Sequence, residues 1–435
     1  MSKPDDFDNV DPAPPAPLDL SKWSKLPGLL LGIGALITVI GAIWSFNRDG
    51  GREFGYTWLV SFMFYLSIGL GALFLVLAHH LFDAGWSVPT RRFCEHISTL
   101  LFPTMAVLFL PIAFLAPKMF HWMKMETHPD HALAAKFPLF TTSGFYISTA
   151  ACFALWWLLT NRLKYWSLKQ DETGEARCTY RMRMHASWGI WVFAITLTTG
   201  AIMWMKGLEH EWFSTMYGVC YFAGSVWLTL ATVYVITMIL DRQRVLTDVL
   251  HEHQFYFLGT LMFAFTVFYA YVNFSQYFII WNANIPEETF WFVQREQGTW
   301  FSVSMIIIFG HFFLPFLALL RIDVKHTFTL MVPICLWSWA MHYVDMTFQI
   351  LPVAHPDGFP FFTLWLQFGC MAFMGGLLTK IFLRKFAGTP PFPLKDPRLV
   401  EAMGLYHPVP TQISGGEVED VDTMPGGEVQ HGGNH

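Results

Sequence analysis

The chain has 435 residues, of which 54% are hydrophobic, 17% aromatic and only 14% charged, with a formal net charge of −5. Soluble domains carry about a quarter charged residues, so this composition excludes an ordinary soluble globular protein. No long basic stretch is present to follow a phosphate backbone, which excludes nucleic acid as a partner.

Residues 1–25, Pro-rich and acidic (DPAPPAPLDL), read as a disordered tail. The segment 26–45 follows as the first transmembrane helix. No small-x-small cleavage pattern follows it, so it reads as a retained anchor. Nine further apolar stretches are long enough to cross roughly 30 Å of hydrocarbon as helices. They run over 57–82, 97–117, 139–161, 186–205, 214–240, 255–281, 298–320, 326–350 and 361–384. Residues 385–435, ending in ISGGEVEDVDTMPGGEVQHGGNH, read as a second disordered tail in which His431 and His435 are solvated.

The Lys and Arg residues divide 20 to 7 in favour of the side that carries both termini. The positive-inside rule therefore places both termini in the cytoplasm. Arg92-Phe93-Cys94-Glu95-His96 and Val249-Leu250-His251-Glu252-His253 each lead into a helix, and their Glu-His pairs lie 157 residues apart. Neighbouring spans keep a similar offset, which suggests an internal repeat. The expected fold is all-α and polytopic: about ten spans, with one four-helix bundle over 57–205 (spans 2–5), another over 214–350 (spans 6–9), and two flanking helices.

Polar side chains inside the apolar segments are the candidate site, because in hydrocarbon they need a partner, a cavity or a ligand. Thr266, Tyr269, Asn273 and Gln276 are spaced 3, 4 and 3, and so share one helical face. Ser338, His342, Asp345 and Gln349 are spaced 4, 3 and 4 on the ninth segment. Both segments run outward, and the 1.5 Å rise per residue puts the two stripes at one depth in the outer half of the membrane. A His–Asp pair suits proton handling, and amide and hydroxyl groups suit a quinone carbonyl or an ordered water. His311 in the eighth segment is a further proton-path candidate. Glu95, Glu252, His79 and His80 lie at the cytoplasmic ends, either as solvated or capping groups or as the mouth of an inward half-path. The same inventory suits a transported solute, or polar contacts that only fix helix packing.

Six cysteines occur singly with no CxxC, and His311, His326 and His342 are spaced 15 and 16 apart. The chain is therefore not expected to bind haem, an iron–sulfur cluster or a structural metal itself.

Three runs carry a family resemblance: Trp212-Phe213-Ser214-Thr215-Met216-Tyr217-Gly218; Phe274-Ser275-Gln276-Tyr277; and Ile280-Trp281-Asn282-Ala283-Asn284-Ile285-Pro286-Glu287-Glu288-Thr289, with the shorter Glu252-His253 and Phe268-Tyr269-Ala270-Tyr271 adding to them. They resemble the NrfD/PsrC-like integral membrane subunits, and in particular the ActF type of alternative complex III, a quinol:cytochrome c oxidoreductase. The resemblance covers roughly 57–384 by topology, with its sharp motifs within 210–290. It implies a multi-pass protein of the bacterial inner membrane, with quinone or quinol as the redox ligand. The implied partners are a paralogous membrane subunit, a periplasmic iron–sulfur subunit, c-type cytochrome subunits and membrane lipid, with a terminal oxidase as an optional neighbour. It further implies that the paralogue holds the principal quinol site and that this type of subunit is structural or proton-conducting.

Overall fold

The computed structural model describes residues 20, 22–126, 130–246, 249–250 and 252–403, with two short pieces at 411–412 and 418–419. The main helices are α1 (Lys25–Asp49), α2 (Arg52–Phe82), α3 (Val88–Ser98), α4 (Leu110–Met119), α5 (Thr142–Thr173), α6 (Ala176–Trp204) and α7 (Tyr217–Arg242). They continue as α8 (Glu252–Ala283), α9 (Pro286–Arg295), α10 (Gly298–Ile306), α11 (Leu314–Leu319), α12 (Phe328–Ile350) and α13 (Leu364–Ala387). Among the described residues the one strand pairing is two residues long, Thr411–Gln412 against Val418–Glu419. Apart from that pairing the described residues are helical or irregular, and among them eight helices are long and apolar enough to cross a membrane.

Two expected spans depart from that standard. The third is not one straight helix: a π-helical stretch, Leu101–Met105, follows α3, and the chain bends by 54° before α4. Phe102 leaves the helical region there, at φ −142° and ψ 136°. The ninth, α12, is 23 residues long but falls short in apolarity, since it carries the polar stripe inward.

The centre is a pair of helices. α2 and α7 are each 78% buried over their apolar window, and they pack against one another. Gly71 permits the approach, because a Cβ there would sit 2.2 Å from Thr229 Oγ1 and 2.5 Å from the Ser225 carbonyl oxygen. The Tyr221 hydroxyl donates to the Met63 carbonyl at 2.8 Å, and the Thr229 hydroxyl donates to the Ile68 carbonyl at 3.1 Å. Such bonds fix helices where lipid gives no hydrophobic drive for association. α6 and α12 lean on both members of the pair, α8 packs on α7, and α1 packs chiefly on α13.

One end of the molecule gathers the start of α1, the end of α2, the start of α3 and the end of α13; we call it the terminal end. Here the expectation of a disordered tail from 385 onward is corrected for its first part. Residues 388–403 lie across this end as a strap, with Phe392, Asp396 and Leu399 buried. Asp396 pairs with Arg91 and, at 2.9 Å, with Arg398 Nε, and Arg398 reaches Asp83 at 2.8 Å. Asp171 pairs with Arg92 and accepts the Leu394 amide at 3.0 Å. Three arginines and three aspartates distant in sequence hold this strap where local composition suggested none. The rest of that tail, with His431 and His435, and most of 1–25 lie outside the described residues.

Candidate functional site

The two polar stripes meet. Tyr269, Asn273 and Gln276 from α8 face Asp345 and Gln349 from α12 across a cavity of about 30 Å³, closed by Tyr217, Cys220 and Trp212. Its enclosed space is about that of one water molecule. Gln349 Nε2 donates to Asp345 Oδ1 at 3.3 Å, the Tyr269 hydroxyl bonds to the same carboxyl group, and the Cys220 thiol donates to Gln276 Oε1 at 3.7 Å. Asn273 turns its amide back to the Tyr269 carbonyl at 2.9 Å.

Behind Asp345 lies a buried trio. His311, His342 and Asp345 each offer one ligand-type atom, and these lie within 4.8 Å of one another. The His311 ring is clamped flat between Trp227 and Tyr269, with centroid distances of 4.0 and 3.9 Å. The clamp fixes the ring plane and presents a π face to each side of it. His342 Nε2 meets the Ser67 hydroxyl of α2 at 3.0 Å. Both ring nitrogens of His311, Nδ1 of His342 and Oε1 of Gln349 are buried without a hydrogen-bond partner among the described residues. Buried orphans of this kind are rare in stable cores and mark places where a proton, a water or a ligand completes the bonding.

Local backbone places the trio. His311 sits in a π-helical stretch, Ile307–Phe313, between α10 and α11. The Trp337 indole of α12 donates to the Gly310 carbonyl at 2.8 Å. π-bulges of this type recur at functional sites. On the facing helix Gly224 leaves room for the imidazole: a Cβ there would lie 3.1 Å from His342 Cε1 and 3.4 Å from its Nδ1. Gly224→Ala should therefore push His342 against Ser67 and destabilise the protein by about 1–3 kcal/mol, the usual cost of overpacking. Thermal unfolding in detergent measures it, and an unchanged midpoint would mean that the ring moves freely.

Not every candidate reaches this place. Thr266 is buried but accepts the Trp227 indole at 2.8 Å, and Ser338 donates back to the Ile334 carbonyl at 2.8 Å; neither lines the cavity. Thr266 supports the clamp, whereas Ser338 serves helix packing. Glu95 is not solvated: it is buried against Arg91 Nε at 3.1 Å and Arg92 Nη1 at 3.0 Å. His79 lies at the terminal end, bonded to Ser87 at 2.5 Å and to Arg91 at 3.0 Å, with His80 buried beside it. The side chain of Glu252 lies outside the described residues.

Several contributors carry no contrast in the sequence. Trp227, Gly224, Ser67 and Cys220 sit among similar residues on apolar helices. Arg295, one of the seven basic residues assigned to the outer side, is buried with its ring-facing guanidinium 3.6 Å from the Trp291 centroid. It donates to the Phe348 carbonyl at 3.1 Å and the Gln349 carbonyl at 3.2 Å, so it caps the end of α12 beside the cavity. Trp291 in turn stacks on Trp212 at 4.5 Å.

The buried trio could also close on a divalent ion, having two imidazoles and a carboxylate. A second trio, Asp130, His210 and Glu211, lies near the opposite end from the strap. There a hydrogen bond from His210 at 2.8 Å holds the Asp130 carboxyl below its ordinary range. No protein-family model and no curated protein sequence matches the chain.

Proposed function

We propose that this chain is an integral membrane subunit of a bacterial quinol-oxidising respiratory complex of the alternative complex III type, and that its own part is to conduct protons. The supporting observation is the buried His311–His342–Asp345 trio, with three unpartnered ring nitrogens, abutting a water-sized polar cavity. Carboxylate, imidazole, phenol and amide side chains in hydrogen-bonding sequence can pass protons along a membrane interior.

Some of the residues behind the family resemblance, among them Trp212, Tyr217 and Gln276, line the same cavity. Trp212 and Tyr217 come from the first run and Gln276 from the second, while the Trp212 indole donates to the Glu288 carbonyl of the third at 3.0 Å. In this reading the protein has ten spans in two four-helix units flanked by α1 and α13, lies in the inner membrane, and keeps both termini in the cytoplasm.

A quinone ring does not fit the cavity between the stripes. A benzene-sized guest needs about 150 Å³, against about 30 Å³ here. Quinol oxidation then belongs to the paralogous membrane subunit, with electrons passing to the iron–sulfur and c-type haem centres of partner subunits. This chain takes up and passes on protons at Asp345.

Purification of the tagged full chain from its native membrane tests the assignment. Co-purifying c-type haem and iron–sulfur absorption, together with quinol:acceptor turnover, is the expected result. A chain that purifies alone and catalyses solute uptake in vesicles would overturn it in favour of a secondary transporter. Such a transporter would share the polar stripes and the irregular Ile307–Phe313 stretch beside them.

A further inference from the structure

The surroundings of the buried trio fix which atoms it presents inward. The Ser67 hydroxyl donates to the Phe64 carbonyl at 2.6 Å, so toward His342 its oxygen can only accept, and it meets Nε2 at 3.0 Å. Nε2 of His342 therefore carries the ring proton, and Nδ1 keeps a bare lone pair. That lone pair is buried with no partner among the described residues. Gly224 keeps the space beside it clear, since a Cβ there would lie 3.4 Å from Nδ1. Imidazoles that ligate metals are held in this way, with the far nitrogen donating to a supporting group.

His311 is prepared differently. Trp227 and Tyr269 cover its two faces, with centroids at 4.0 and 3.9 Å, so the ring is open only along its edge. Both nitrogens on that edge are buried and unpartnered among the described residues. An imidazole ligates a metal in the plane of its ring, which is the direction the clamp leaves free. Asp345 completes the group. It is 3% exposed, and its partners Gln349 and Tyr269 are both neutral, so neither offsets its charge. Buried charges are ordinarily paired or bound to a cation.

Donor type and spacing narrow the ion. Two imidazoles and one carboxylate suit a borderline transition ion such as zinc, whereas Mg²⁺ and Ca²⁺ take shells of oxygen. The three ligand-type atoms lie within 4.8 Å of one another. Bonds of about 2.0–2.1 Å in a tetrahedral site put neighbouring ligand atoms roughly 3.3 Å apart, so closure asks for at most about 1.5 Å shared among three side chains. The adjoining cavity of about 30 Å³ has room for a water as fourth ligand, the pattern of an open and exchangeable site. No local motif announces these ligands in the sequence, because they come from α12 and from the stretch between α10 and α11.

We propose that His311, His342 and Asp345 form an exchangeable site for a divalent transition ion of the zinc class, entered through the polar cavity past the half-buried Asn273 and Gln276. The bound ion occupies the groups through which protons pass, and so arrests conduction. That consequence rests on the proton-conducting reading; the binding itself does not.

Equilibrium dialysis of Zn²⁺ against the full chain tests this, with a histidine-free tag, phosphatidylcholine nanodiscs and excess Mg²⁺. One zinc ion per chain is expected to resist the Mg²⁺. His311→Phe and Asp345→Asn should each weaken its binding at least ten-fold, and His210→Gln, in the second trio, should leave it in place. Zinc K-edge absorption on the unmodified chain should show two imidazoles at about 2.0–2.1 Å and no sulfur, and it decides alone if a variant does not fold. Unchanged affinity in both trio variants, loss of the ion in His210→Gln, or a shell with sulfur or fewer than two imidazoles would overturn the proposal. In the assembled complex the same zinc should slow quinol-driven turnover. Turnover indifferent to an ion bound at the trio would leave the metal site standing and overturn the proton-conducting reading instead.

Discussion

Asp345→Asn should slow quinol-driven turnover of the assembled complex by about 10²–10⁴-fold, the range lost when a positioned proton-transfer group is removed. The substitution keeps size and shape, and an Asn Oδ1 still accepts from Gln349 Nε2, which donates to Asp345 at 3.3 Å. The Tyr269 hydroxyl retains an oxygen to bond. Helix packing and assembly should therefore persist, and only the capacity to take a proton is lost. Turnover in purified complex, with subunit content checked on the same preparation, is the measurement. Normal turnover in a fully assembled variant would remove Asp345 from any proton path. His311→Phe gives an independent reading, since a phenyl ring can occupy the clamp between Trp227 and Tyr269 without carrying a proton. It should reproduce the loss if His311 belongs to the relay, and should be nearly silent if the ring is only packing.

Asp396→Ala should destabilise the terminal end by about 3–5 kcal/mol, because it takes from the buried Arg91 one of its two carboxylate partners and from Arg398 its buried one. Both side chains of the Arg91–Asp396 pair are fully buried. Release of the strap would appear as faster hydrogen exchange over residues 388–403 and a lowered unfolding midpoint; unchanged exchange there would show that the apolar anchors Phe392 and Leu399 suffice. The pair also sets an acid limit. Burial alone would raise the Asp396 pKa, but Arg91 and Arg398 hold the carboxyl well below the usual carboxylate range. A carboxyl depressed in the folded protein contributes stability that is full above its unfolded pKa of about 3.9 and is lost as pH falls through the folded value. The Asp396 contacts should therefore persist from neutral pH to below about pH 4 and loosen only under stronger acid.

The polar stripes were legible because a period of 3 and 4 in polar residues stands out against apolar helix, and one stripe then indicates the depth of the other. Tyr269, Asp345 and Gln349 came together as that pattern predicts. Aromatic and small residues have no such contrast: Trp227 and Gly224 lie in a helix already rich in both kinds, so nothing marks one as a clamp and the other as clearance. Thr266 shares the stripe's face yet is claimed by a neighbour's indole, a competition that spacing cannot reveal. The strap failed to register for a different reason. Asp171, Asp396 and three arginines each look like solvated loop charges, and only long-range folding turns them into one buried network, with Asp83 at its half-exposed rim. The bend after α3 was equally hidden, because hydropathy averages over a broken helix as readily as over a straight one.

The π-helical stretch at Ile307–Phe313 has a consequence for how this site can change over time. In an α-helix each residue advances the rotation by about 100°. A π-turn takes up extra chain, so the phase of α11 relative to α10 depends on how many residues lie between them. Deleting one residue from the stretch would restore the ordinary winding and swing one part of the helix about its axis. His311 would then leave the ring clamp even though no residue of the trio had been altered. The site is thus vulnerable to a change of length where it tolerates many changes of composition, and related chains could gain or lose it by a single codon.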